Sequence, residues 1–227
     1  MIINNALQKV QRYNQLCVHY NLVADSIYRV RNEDDNVFGT RFLPFLVAAL
    51  IVFDLGRMMG SGAEMRYDPS NAGFAARLTE KLQAIQQYLQ HLTNARLCNI
   101  NIAEERENIL NAYYLLSAGG SNSLNQKGDE FHVGATKIMH FLCPELFVII
   151  DSNTAKAFRI AHNVGFRNTT QPGYTADNYI KCLSCAQADI REMGATKFCI
   201  LENDTPMARI YDKLSFVTGA NWLQQSR

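Results

Sequence analysis

The chain has 227 residues, 48% apolar and 19% charged, enough for one medium domain or two closely packed lobes and too apolar for a disordered or collagen-like chain. Twenty-two Lys and Arg against 21 Asp and Glu leave a formal charge of +1, so no strong global field draws in nucleic acid or an anionic membrane, and phosphate binding must be local. Six Cys at positions 17, 98, 143, 182, 185 and 199 are scattered through helix-like sequence, which points to reduced thiols in a cytoplasmic protein.

The segment MIINNALQKV has no basic stretch leading into an unbroken apolar run, so no export signal is expected. Leu7, Val10, Tyr13, Leu16, Cys17 and Tyr20 recur at helical spacing, predicting one amphipathic helix over about 5–28 with a Gln-, Asn- and Arg-rich polar face. A polar connector follows at 31–40. Phe42 to Leu55 is the most apolar stretch, yet at fourteen residues with Pro44 and Asp54 inside it is too short for a bilayer span of about 20 residues. It reads as a buried helix, ended by a Gly-rich loop at 56–73.

Phe74, Leu78, Leu82, Ile85, Leu89 and Leu92 mark a long helix, and Ile109, Leu110, Tyr113 and Leu116 another. Residues 117–131 are rich in Gly, Ser and Asn and read as a linker between a helical lobe, 1–120, and a second lobe, 121–227. In that second lobe Thr136 to Leu142 forms a short helix that Pro144 stops. LFVII (146–150) is a compact apolar segment, and Asp151 opens a helix through about His162. Further helices are predicted from about Thr175 to Met193 and, behind a Thr205-Pro206 start, to about Leu214. No βαβ alternation or internal repeat is present, so the class is all-α, a two-lobed helical bundle with the site in the cleft between lobes.

The chemistry concentrates between His132 and Thr154. Lys137 lies near a helix start, where the positive end of the dipole and burial against Ile138 and Phe141 disfavour the ammonium and favour a nucleophilic amine. Asp151, fourteen residues on, faces the first N–H groups of the next helix as a carboxylate. Beside a sugar C1′, such a carboxylate stabilises the oxocarbenium-like charge of a breaking glycosidic bond or activates water.

VGATKIMHF followed by FVIIDSNTAKAFRIA resembles the hairpin lysine and downstream aspartate of the helix-hairpin-helix DNA glycosylase superfamily, particularly the 8-oxoguanine glycosylase branch, where a G-V-G-T-K run precedes a V-D-V-H run. The resemblance covers about 35 residues. It implies a helix-hairpin-helix element, Lys137 as Schiff-base nucleophile and Asp151 as catalytic carboxylate, with Asn153 where the family has a phosphate-contacting histidine. This chain has one hairpin glycine, Gly134, where the family has two, and its Lys-to-Asp interval is shorter by about one helical turn. Family members without the lysine work with the aspartate alone.

A glycosylase extrudes its target nucleotide into a pocket. His140 and Phe141, one turn beyond Lys137, are expected to border it. Phosphate contacts are expected from Gly134, Thr136, Ser152 and Asn153, with Lys156 and Arg159 supplying local positive charge. The implied activity is hydrolysis of a modified base from DNA by a monomer that needs no cofactor, with a lyase step if Lys137 attacks. An oxidised purine is the first substrate and a glucosylated hydroxymethylcytosine of phage DNA the second. Two other readings stand beside it, an N-glycosylase acting on free nucleosides and a non-catalytic helix-hairpin-helix DNA-binding module. Cys182 and Cys185 form a lone CxxC followed only by Cys199, one ligand short of the iron–sulfur site found in some family members, so no metal is expected.

Overall fold

The computed structural model describes residues 1–60, 72–124, 128–169 and 172–220. Among them are ten α-helices and no strand: α1 (Ala6–Leu16), α2 (Val18–Glu33), α3 (Leu43–Gly60), α4 (Ala72–Leu89), α5 (Arg106–Ser117), α6 (His132–Leu142), α7 (Ser152–His162), α8 (Ala176–Met193), α9 (Ala195–Cys199) and α10 (Met207–Gly219). The protein is all-α. None of these helices is long and apolar enough to cross a membrane.

The expected first helix is two. Cys17, at φ −118° and ψ 38°, leaves the helical region while its N–H still bonds Tyr13 O at 2.8 Å, so the chain changes direction without losing a hydrogen bond. The apolar helix α3 continues to Gly60, into the span expected to be loop; the remainder of that loop, 61–71, and the tail with Trp222 lie outside the described residues. The last helix runs five residues beyond Leu214, to Gly219. Its first N–H is taken by the Glu145 carboxylate at 3.0 Å rather than by the expected Thr205 cap.

One continuous core joins residues on both sides of the expected 120/121 boundary, including Phe42 just before α3, Leu46 of α3, Leu78 and Ile85 of α4, Phe141 of α6, Phe158 of α7 and Leu214 of α10. Through its middle passes the segment 146–150, fully apolar, buried and not helical. Such a segment needs partners for its backbone polar groups. Three buried side chains supply them. Thr136 Oγ1 accepts from Ile150 N–H at 3.1 Å, His140 Nδ1 donates to Phe147 O at 2.6 Å, and Tyr179 OH donates to Val148 O at 3.3 Å. The segment thereby delivers Asp151 to the start of α7 with its preceding residue tied to α6.

Helix α10 lies against α7 on one side and α1 on the other. The α7 contact is backbone-close: a Cβ on Gly219 would sit 1.8 Å from Asn153 O.

Candidate functional site

Asp151 caps α7. Its backbone is extended, at φ −99° and ψ −172°, and its Oδ1 accepts from Thr154 N–H at 2.8 Å, satisfying one of the free N–H groups of the first turn. The side chain is half-buried, with exposed Ser152 beside it. At its other end α7 closes on Asn163 in the left-handed region, φ 53°.

Lys137 is 6% exposed and its Nζ donates to Phe53 O, on α3, at 3.0 Å. Ile150 N–H rests on the Thr136 hydroxyl, so the residue before Asp151 is tied to the residue before Lys137.

Other predicted residues serve the scaffold. Gly134 lies not in a hairpin turn but in the first turn of α6, beneath the Phe131 ring, whose nearest carbon would stand 2.0 Å from an added Cβ. Phe131 O accepts from Ala135 N–H at 2.8 Å, so the helix starts four residues before the expected Thr136, and the preceding connection from α5 spans 118–131 rather than a tight hairpin. Thr136 is buried, donating to Val133 O at 2.9 Å while it holds Ile150, so its hydroxyl is committed to the fold rather than to a DNA strand.

His140 and Phe141 have no exposed surface and are core residues instead of pocket walls. Phe141 packs edge-on against Phe53, with ring centres 5.4 Å apart. His140 must donate through Nδ1, because Phe147 O only accepts; its Nε2 therefore accepts a hydrogen bond from the Tyr28 hydroxyl at 2.6 Å. Burial pushes its pKa down to about 3, so the ring stays neutral. Asn153, Lys156 and Arg159 are half-buried along α7, and Arg159 donates to Asn168 at 3.0 Å.

The structure adds a buried charged cluster on α10 that the sequence does not announce. Arg209 Nη1 donates to the Asp212 carboxylate, and Nη2 donates to Tyr13 OH at 2.9 Å and to Asn21 Oδ1 at 3.2 Å. Asn21 in turn donates to Asn14 at 2.8 Å, and Asn14 to Glu202 at 2.7 Å, while Lys213 reaches both Glu202 oxygens at 2.6 and 2.7 Å. Asp151 is close enough to Asp212 and to Cys17 for its charge to act on both. Glu202 also lines a cavity of about 750 Å³ together with Tyr28, Arg31, Arg96, Glu145 and Thr205; neither Asp151 nor Lys137 borders it. Among the described residues no three His, Cys, Asp or Glu side chains gather in a metal-binding group.

Burial raises Asp212 to about 6, against the pull of Arg209 and with a further push from Asp151. His140 and Asp212 therefore act oppositely on acid stability. As pH falls below 6.5 the unfolded chain protonates its histidine first and stability is lost; as it falls below 6 the folded chain protonates Asp212 first and stability is gained. Asp212→Asn removes the gain. Between pH 7 and 4 the variant should lose about 2 kcal/mol more unfolding free energy than the unaltered protein, read from urea midpoints at each pH. A constant gap between the two proteins would mean that Asp212 does not titrate there.

Comparison with protein-family profiles, with curated protein sequences and with solved structures finds no match to this chain.

Proposed function

We propose that the protein is a DNA glycosylase that excises a modified base with Asp151 as its catalytic carboxylate. The observation that carries this reading is a half-buried aspartate fixed at a helix N-terminus, whose preceding residue, Ile150, donates its N–H to the side chain of Thr136, the residue before buried Lys137. In the catalytic step Asp151 faces C1′ of the extruded nucleotide, stabilises the positive charge that grows there as the base departs, and orients the water that completes hydrolysis. The exposed start of α7, with Ser152 and Asn153 at its first turn and Lys156 one turn on, supports a backbone phosphate through N–H groups and a local cation without a large net charge. Thr136, His140 and Gly134 contribute through the scaffold that delivers Asp151.

Lys137 is buried and donates to Phe53 O, which favours water over the amine as attacking group. Duplexes carrying oxidised purines, alkylated and deaminated bases, and glucosylated hydroxymethylcytosine should release base from one class and leave abasic sites. Breaks should appear only after alkali, and borohydride should trap no protein–DNA adduct. A trapped adduct lost in Lys137→Ala would make the lysine the nucleophile and the enzyme a lyase. Absence of base release from every duplex, with salt-insensitive DNA affinity, would sink the glycosylase reading.

A further inference from the structure

Between the C-terminal end of α2, the turns around Arg96 and Pro144, and the stretch from α9 to α10 lies the cavity of about 750 Å³. That is within the size range of sites that take a small organic ligand. Neither Asp151 nor Lys137 borders it, so its use is separate from the glycosylase reading.

The lining carries charges of both signs. Arg31 is held by neutral acceptors: Nε donates to Leu142 O at 3.2 Å, Nη1 to Asn32 Oδ1 at 3.1 Å, and Nη2 to Thr93 O. These bonds fix the guanidinium and leave its positive charge to the cavity. Arg96 is less committed. Its side chain is 47% exposed, its Nε stands 3.6 Å from Glu145 Oε2, and its Nη2 donates to Cys199 Sγ at 3.4 Å. The first distance is too long for a hydrogen bond and the thiol is a weak acceptor. A carboxylate arriving from solvent therefore offers Arg96 a better, two-pronged partner. Glu145 is not stranded by that exchange, because its Oε2 also accepts Met207 N–H at 3.0 Å.

On the acidic side, Lys213 Nζ matches Glu202 at 2.6 and 2.7 Å, which leaves exposed Asp204 to meet a cation from solvent. Arg31, Arg96 and Lys213 balance Glu145, Glu202 and Asp204. Such a site favours a ligand that is neutral overall with separated charges, and it resists a phosphate dianion. Pro144 and Pro206 add rigid apolar walls, and Ile200 on the same cavity is 66% exposed, a large aliphatic surface for a ligand side chain to cover.

We propose that this cavity binds a short zwitterionic peptide of two or three residues, with its C-terminal carboxylate on Arg96 and Arg31, its ammonium on Asp204 and an aliphatic side chain over Ile200. The balanced lining, the loosely held Arg96 and the exposed Ile200 each call for one part of that ligand.

The test is isothermal titration of the full chain with pooled dipeptides and tripeptides, followed by the best binder in free, N-acetylated and C-amidated forms. Blocking either terminus should weaken binding about tenfold. Arg96→Ala should weaken the free peptide about tenfold and leave the amide unaffected, and Asp204→Asn should do the same for the free and acetylated forms. Both side chains are exposed, so the variants should melt with the unaltered protein, and Arg96→Lys should recover part of the loss. Saturating peptide should also slow alkylation of Cys199 by iodoacetamide about tenfold, read by peptide mass mapping, because the thiol lines the cavity. Equal affinity for free and blocked peptides would overturn the proposal. So would binding of inorganic phosphate at Arg96 in place of peptides, or no heat from any pool at about 1 mM.

Discussion

Replacing Asp151 by Asn should lower base release by about 10²–10⁴-fold while leaving the fold and DNA affinity near those of the unaltered protein. The separation is possible because Asp151 does two things. It caps α7 through the bond from Thr154 N–H at 2.8 Å, and in the glycosylase reading its charge meets the sugar cation. Asn caps a helix about as well as Asp, so the substitution removes the charge and keeps the cap. Asp151→Ala removes both and should additionally cost about 1 kcal/mol of stability. Full excision activity in Asp151→Asn, over the same duplex panel, would show that the carboxylate does no chemistry.

Gly219→Ala should be among the most destabilising single substitutions in the chain although it adds one methyl group. That methyl would lie 1.8 Å from Asn153 O and 2.6 Å from its carbonyl carbon. Both are backbone atoms in the first turn of α7, so no rotamer change relieves the overlap. The helices must part. A loss of about 3 kcal/mol, or about 6–12 °C in Tm, follows for a chain of this size, and because Asn153 is two residues from Asp151 the excision rate should fall with it. Gly194→Ala is the matched control. Gly194 has φ 87° and open space around it, so the cost there is backbone strain alone, about 1 kcal/mol. Equal Tm values for Gly219→Ala and the unaltered protein would mean that α7 and α10 are not packed this closely.

Local signals located most helices. Asp151 announced the start of α7, and the pattern put the start of α8 at about Thr175; both side chains prove to be caps, accepting from a residue three positions on, at 2.8 and 3.1 Å. What local signals misplace is the environment of polar residues. Arg209, Asp212 and Lys213, spaced i, i+3 and i+4, make the same stripe whether it meets water or other helices. Here it meets Tyr13, Asn14 and Asn21, 188 to 199 positions away in sequence. Likewise Thr136 and His140, near the predicted nucleophile, look like substrate contacts until the path of 146–150 is known. Their polar atoms serve a buried, non-helical backbone. Gly134 suggested a turn because glycine usually does, whereas here the missing side chain admits the Phe131 ring.

The bond from Arg209 to Tyr13 joins positions 196 residues apart, and this has a bearing on biosynthesis. While the ribosome is still making the middle of the chain, Tyr13, Asn14 and Asn21 have none of their α10 partners, and the first two helices present an unfinished inner face. The packing around α7 is completed only when α10 emerges. A nascent chain halted before that point would own both Lys137 and Asp151 yet lack the helix that packs against α7, so the start of α7 is braced only once α10 has been made.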